Sequence, residues 1–192
     1  MGRRSRTREL PARAGQWHPE RGIVRDETNE QSLDDLPLRS RKSYLLLFNG
    51  APQQVDRKAE ITPTDNGFSV DLSPVVIDQV KSAQRHFKLN PDRSLTIRDT
   101  WSTGETAANV TWQWLTLATA LKTDDGYLLK QSGEFLHLKA KSDSKFSFEI
   151  EDVSAPQNKF DSPNPGLSRL RIRLDALPAS NGWIEVTASI PK

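Results

Sequence analysis

The sequence predicts an all-β protein: an antiparallel two-sheet β-sandwich of about twelve strands, preceded by a basic N-terminal arm. Three observations carry this. Apolar and polar side chains alternate along short runs. Phe87 and Leu89, Leu95 and Ile97, and Val110, Trp112 and Trp114 share one face, against Thr96, Arg98, Thr111 and Gln113 on the other. A period of two requires a pleated backbone, whose successive side chains leave on opposite sides. Turn signals then divide Gln84 to Ala140 at even intervals: Asn90-Pro91-Asp92, Ser102-Thr103-Gly104, Asp124-Asp125-Gly126 and Ser132-Gly133. Strands at that spacing read as an antiparallel meander within a sandwich. Finally, no long helical pattern interrupts the runs.

Taken in order, residues 1–42 are rich in Arg, Glu, Asp and Pro, with almost no apolar periodicity. They bury too little surface to offset the entropy of ordering, so this arm is expected to be mostly irregular, with Trp17, Ile23 and Val24 as its docking points. The body, residues 43–192, opens with Ser43 to Phe48, apolar on both faces and suited to a central strand. Asn49-Gly50 ends it with a dipeptide that tolerates positive φ. A short strand around Lys58 to Ile61, a turn over Thr64 to Gly67 and a strand from Phe68 to Leu72 follow. Residues 74–80 fit either one helical turn or a short edge strand. After the 84–140 stretch come a strand Lys145 to Glu151, with Phe146, Phe148 and Ile150 alternating, and a loop rich in Pro, Asn and Ser to Gly166. Arg169 to Leu174 and Trp183 to Ile190 are the last strands, joined by a turn over Leu177 to Gly182.

A length of 192 residues suits one domain with an arm. The apolar share of 35% and mean hydropathy of −0.65 are low, but a sandwich with one wet face per sheet manages with that. Charge is unevenly placed. Residues 1–25 hold seven Arg and two Glu, while the remainder holds 20 Lys and Arg against 23 Asp and Glu. The pI of 8.9 thus belongs to the arm, and the mildly acidic body argues against nucleic acid as a partner. The lack of Cys excludes a disulfide scaffold, a thiol nucleophile and a thiolate metal site. No run of 18 apolar residues is present, so no membrane-spanning helix is expected. The first ten residues carry basic charge without an apolar segment and do not form a secretory signal. That leaves a cytoplasmic protein or a piece of a longer secreted one.

Catalytic signals are sparse. His18, His86 and His137 are far apart and show no metal-ligand spacing such as HxxxH or HExxH. No Ser occupies a GxSxG elbow, and no Gly-rich phosphate loop follows a strand. Trp101, Trp112, Trp114 and Trp183 could offer indole faces to a pyranose. Trp112 and Trp114 sit mid-strand beside Val110 and are expected in the core, with Trp183 at its edge. Trp101, beside a turn, is the candidate for an exposed sugar contact. Arg169, Arg171 and Arg173 alternate on one strand as a basic ladder, either a solvated face or a contact for an anionic glycan.

Four segments resemble the C-terminal β-sandwich of heparinase II/III-like polysaccharide lyases. Leu45-Leu46-Leu47-Phe48-Asn49-Gly50 with Gln53 is similar to the family's HNTLLxxNGxxQ segment, and Ala59-Glu60-Ile61 to the strand after it. Val70-Asp71-Leu72-Ser73 with Arg85-His86-Phe87 resembles its next pair of strands. Ser94 to Asp99 resembles its L-x-I-x-D strand. Val110 to Thr116, with Gly133 to Leu138, resembles V-x-W-x-L-x-T and G-K-x-L-x-L. They cover about residues 43–141 in family order.

The resemblance implies descent from enzymes that cleave uronate-containing, glycosaminoglycan-type glycans by β-elimination. That chemistry needs a group to neutralise the carboxylate, a base and an acid, and the family places most of it on an (α/α) toroid. No toroid-like series of helices is present here, so no catalytic residue is assigned and the isolated chain is expected to lack turnover. Substrate contacts would fall to Trp101, Arg169, Arg171 and Arg173. Some family members hold zinc. His18, in a segment that resembles H-x-H-P-D, is the one candidate ligand, but Ser43 stands at the family's HNT histidine and no cofactor is expected. The implied partners are an anionic polysaccharide or a toroid-type catalytic chain. The family is mostly periplasmic or secreted. The alternative is a carbohydrate-binding or purely structural sandwich without catalytic descent in its function.

Overall fold

A computed structural model describes residues 46–54, 56–105, 108–156, 162–177 and 181–191. The expected arm, with Trp17 and His18, and the opening of the body at Ser43 lie outside the described residues. The described ones form twelve strands in two antiparallel sheets. These are β1 (Leu46–Phe48), β2 (Glu60–Thr64), β3 (Gly67–Asp71), β4 (Ser82–Leu89), β5 (Leu95–Ser102) and β6 (Ala108–Thr116). The second half comprises β7 (Thr119–Thr123), β8 (Gly126–Gln131), β9 (Glu134–Ser142), β10 (Phe146–Asp152), β11 (Ser168–Leu177) and β12 (Asn181–Ser189). The small sheet has the order β1-β6-β11-β10, the large one β2-β3-β4-β5-β12-β9-β8-β7. The all-β sandwich expected from the alternation is the fold observed.

Local chemistry explains several boundaries. Asn49 and Gly50 both adopt positive φ, 52° and 69°, so the dipeptide after β1 does what its composition implies. β2 contains Pro63, which cannot donate to a ladder, and it lies at the edge of the large sheet, where no second neighbour asks for that donor. Residues 73–75 resolve the helix-or-strand ambiguity as a single 3-10 turn led by Pro74. It delivers Val75, Val76 and Val80 to the core and leaves Ile77 outside.

The core lies between the sheets. The small sheet supplies Phe48, Val110, Trp112, Leu170, Ile172 and Leu174; the large sheet supplies Ile97, Trp101, Tyr127, Leu138, Ile184 and Val186. Full burial of one such side chain contributes about 1.5–3 kcal/mol. Aromatic edges key the layers together. Phe48 meets Trp101 with ring centroids 6.2 Å apart, and Tyr127 meets Phe148 at 5.2 Å, both T-shaped. Tyr127 goes further. Its hydroxyl lies 3.0 Å from the Glu149 carbonyl, hydrogen-bonds the Arg171 carbonyl, and accepts from the Glu149 N–H at 3.1 Å. One side chain of the large sheet is thereby tied to two strands of the small one, and desolvation pushes its phenol well above the ordinary range.

Two expectations need correction. Gln84 to Ala140 is not one continuous meander. β4 and β5 pair, but β6 crosses to the small sheet, and β12 is inserted between β5 and β9. Alternation marks which side chains face the core, and that requirement is the same in either sheet, so it does not select neighbours. Leu89, grouped with the core face, is 57% exposed because β4 runs past the core at that end.

Candidate functional site

Arg169, Arg171 and Arg173 project from the outer face of β11, since Leu170, Ile172 and Leu174 take the core side. Register places Glu149 opposite Arg171 and Glu151 opposite Arg169 on β10. The ladder is therefore an ion-pair network. Arg169 Nη1 and Arg171 Nη2 share Glu151 Oε2 at 3.2 and 2.8 Å, and Arg173 Nη2 meets Glu149 Oε2 at 2.9 Å. Three guanidiniums face two carboxylates, leaving one positive charge in excess. Accessibility is graded along the strand: the Arg169 side chain is 12% exposed and that of Arg173 45%. Burial lowers the pKa of Arg169, with Glu151 opposing the shift, and its Nε has no hydrogen-bond partner. Opposite Arg171 on β6, Gln113, expected on a wet face, is 2% exposed, with both amide atoms unpartnered. The more accessible guanidiniums, Arg171 and Arg173, are the ones suited to an anionic oxygen.

Trp101 lies elsewhere. It is in β5 of the large sheet, points inward and is 3% exposed, so the exposure expected of it is not observed. The reason is register. The turn begins after Ser102, and β12 places Gly182 directly opposite Trp101. A Cβ at Gly182 would fall 2.8 Å from the indole ring, so this glycine makes the room in which the ring packs. The arginines and Trp101 thus belong to opposite sheets, and the structure does not bring them together.

Trp183, expected at the edge of the core, instead faces outward. Gly182, Ile184, Val186 and Ala188 occupy the inward positions of β12, which turns Trp183 to the outer face. The Arg98 guanidinium stands 4.1 Å from its ring centroid and is held by Glu185 at 3.1 Å. The signal was available: the Ile184, Val186, Ala188 alternation assigns Trp183 outward.

His86 and His137 both face outward, on β4 and β9. Three strand spacings separate those strands, about 14 Å, too far for one proton transfer or one metal. His137 Nε2 lies 3.2 Å from Asp125 Oδ1, and Lys139 Nζ is 2.9 Å from the other carboxylate oxygen. The Lys139 hydrogen bond is the largest influence holding Asp125 below the ordinary carboxylate range, with Thr123 adding to it. Among the described residues no three His, Asp or Glu side chains gather closely enough to hold a metal ion. His18 lies outside them. No described helix is long and apolar enough to cross a membrane.

No family model matches the chain, and no curated protein matches it in sequence. Among solved structures it is similar to a mutant of the heparan sulfate lyase HepC from Pedobacter heparinus, with a TM-score of 0.56 and 12% identity. The match covers 78% of this chain but 24% of that one, so this chain spans about a quarter of the length of the protein it resembles. The relationship is one of fold.

Proposed function

We propose that this chain is a sandwich of the heparinase II/III type that associates with an anionic, uronate-containing glycan and does not turn it over alone. The observation that supports this best is the shared fold with a heparan sulfate lyase over 78% of the chain. The ordered segments between residues 43 and 141 point to the same lineage. The separated histidines favour a non-catalytic role, with elimination chemistry supplied by a toroid-type partner chain. The contact surface is the outer face of β10 and β11. There the guanidiniums of Arg171 and Arg173 exchange carboxylate partners for sulfate or uronate oxygens. Trp101, buried in the other sheet, takes no part in this contact.

Calorimetric titration with heparan sulfate tests this reading. Binding should weaken with salt, because the contacts are solvent-accessible charge pairs. Arg171→Ala combined with Arg173→Ala should weaken it by about tenfold or more, the equivalent of about 1.4 kcal/mol. No binding at low salt, or binding indifferent to both substitutions, would leave a purely structural sandwich.

A further inference from the structure

On the large sheet, where β4, β5 and β12 end together, a cleft of about 460 Å³ opens beside Trp183. That size lies within the range of small-ligand sites, roughly 300–1,000 Å³. Beside its two indoles, its polar lining residues are Ser82, Gln84, Thr100, Ser102, Asp143 and Asn181. Register explains the grouping. Ser82 and Asn181 both pair with Ser102, and Gln84 and Trp183 both pair with Thr100, so three adjacent strands present these side chains as a block. Except for Asp143, none of these six spends its side chain on a hydrogen bond within the described residues. Hydroxyl and amide donors and acceptors are therefore available from adjacent strands of one sheet. Asp143 is fixed by Ser144 Oγ at 3.2 Å and the Trp183 N–H at 3.5 Å. Trp101 also lines the cleft, and its buried indole N–H has no acceptor.

Charge narrows the ligand. The one ionisable group in the lining is the Asp143 carboxylate, which disfavours a sulfate or uronate. Arg98 does not line the cleft. It clamps Trp183 from the Glu185 side, while the cleft lies toward Ser102 and Asn181. The clamp holds the indole in place as a part-exposed apolar wall.

We propose that this cleft binds an uncharged, hydroxyl-rich saccharide unit, packed against Trp183 and hydrogen-bonded by Gln84, Thr100 and Asp143. It is a site on the opposite sheet from the arginine ladder and uses none of its residues, so it stands independently of the anionic-glycan reading.

The test is calorimetric titration of the full chain with neutral cello-, malto- and chito-oligosaccharides at physiological and high salt. At least one should bind with an affinity that salt leaves unchanged. Trp183→Ala should weaken that binding by about tenfold or more, and so should the Gln84→Ala, Thr100→Ala pair, which removes no core side chain. Heparan sulfate binding should survive both changes. Thermal melts identify any variant that has lost its fold, in which case the Gln84, Thr100 pair decides. The proposal is overturned if no neutral oligosaccharide binds the unaltered chain. It is equally overturned if folded variants bind as the parent does, or if heparan sulfate competes for the same site.

Discussion

Removing the Asp99 carboxylate should be among the most damaging single changes available in this fold. Asp99 sits on the core side of β5 between Ile97 and Trp101, opposite Ile184 of β12, and its side chain is 0% exposed. It receives a bidentate pair from Arg85 of β4: Nε to Oδ1 at 2.7 Å and Nη2 to Oδ2 at 2.9 Å. Asp99→Ala removes the carboxylate that holds a guanidinium only 10% exposed. Breaking one side of such a pair costs about 3–5 kcal/mol. In a domain of this size each kcal/mol lowers the melting temperature by about 2–4 °C, so the midpoint should fall by about 6–20 °C. Urea melts followed by tryptophan emission should show a lower midpoint at unchanged slope, since the surface exposed on unfolding is nearly the same. Replacing both partners, Arg85→Met with Asp99→Leu, should recover most of the loss, because it also removes the desolvation that the pair must offset. A cost below about 1 kcal/mol for Asp99→Ala would be that of an exposed pair and would refute the reasoning. So would a double variant less stable than the sum of the singles.

Other changes test other parts of the architecture. Tyr127→Phe keeps the ring but leaves the Glu149 and Arg171 backbone groups without their partner; it should cost about 1–3 kcal/mol in a denaturant melt, and a change within experimental error would show that the hydroxyl does not tie the sheets. Gly182→Ala puts a methyl against the Trp101 ring and should destabilise by about 1–3 kcal/mol; an unchanged melt would mean the ring can retreat. The Asp125 carboxyl should titrate below the usual aspartate range by carboxyl-carbon NMR, and Lys139→Met should raise it. Its depressed pKa makes a small stabilising contribution that is present above the unfolded aspartate value and lost as pH falls through the folded one. A titration at or above the usual value in the unaltered chain would contradict the contact.

Strand periodicity was legible because the core imposes it residue by residue. Phe146 and Phe148, Leu170 and Ile172, and Val110 and Trp112 all pack as their alternation implies. Strand order was not legible, because β6 satisfies the same alternation in the small sheet that it would in the large one. The arginine ladder was readable as a row of charges on one face. Its neutralisation was not, since it depends on β10 and β11 pairing with Glu149 and Glu151 in register, a long-loop contact that no local pattern announces. Trp101 was misplaced for the opposite reason. Proximity to a turn suggested exposure, but its neighbours Ile97 and Asp99 on the same face already assigned it inward. Arg85 and Asp99 lie on the same strand faces as Phe87 and Ile97, and the β4–β5 register sets them opposite each other as a core pair.

The most direct measurement of the central claim is product formation from heparan sulfate by the isolated chain, followed through the ultraviolet absorbance of the unsaturated uronate left by β-elimination. The polysaccharide should bind with no rise in absorbance, and a rise should appear only when a toroid-type chain is added. Sustained absorbance growth with this chain alone, abolished by no contaminant control, would contradict it.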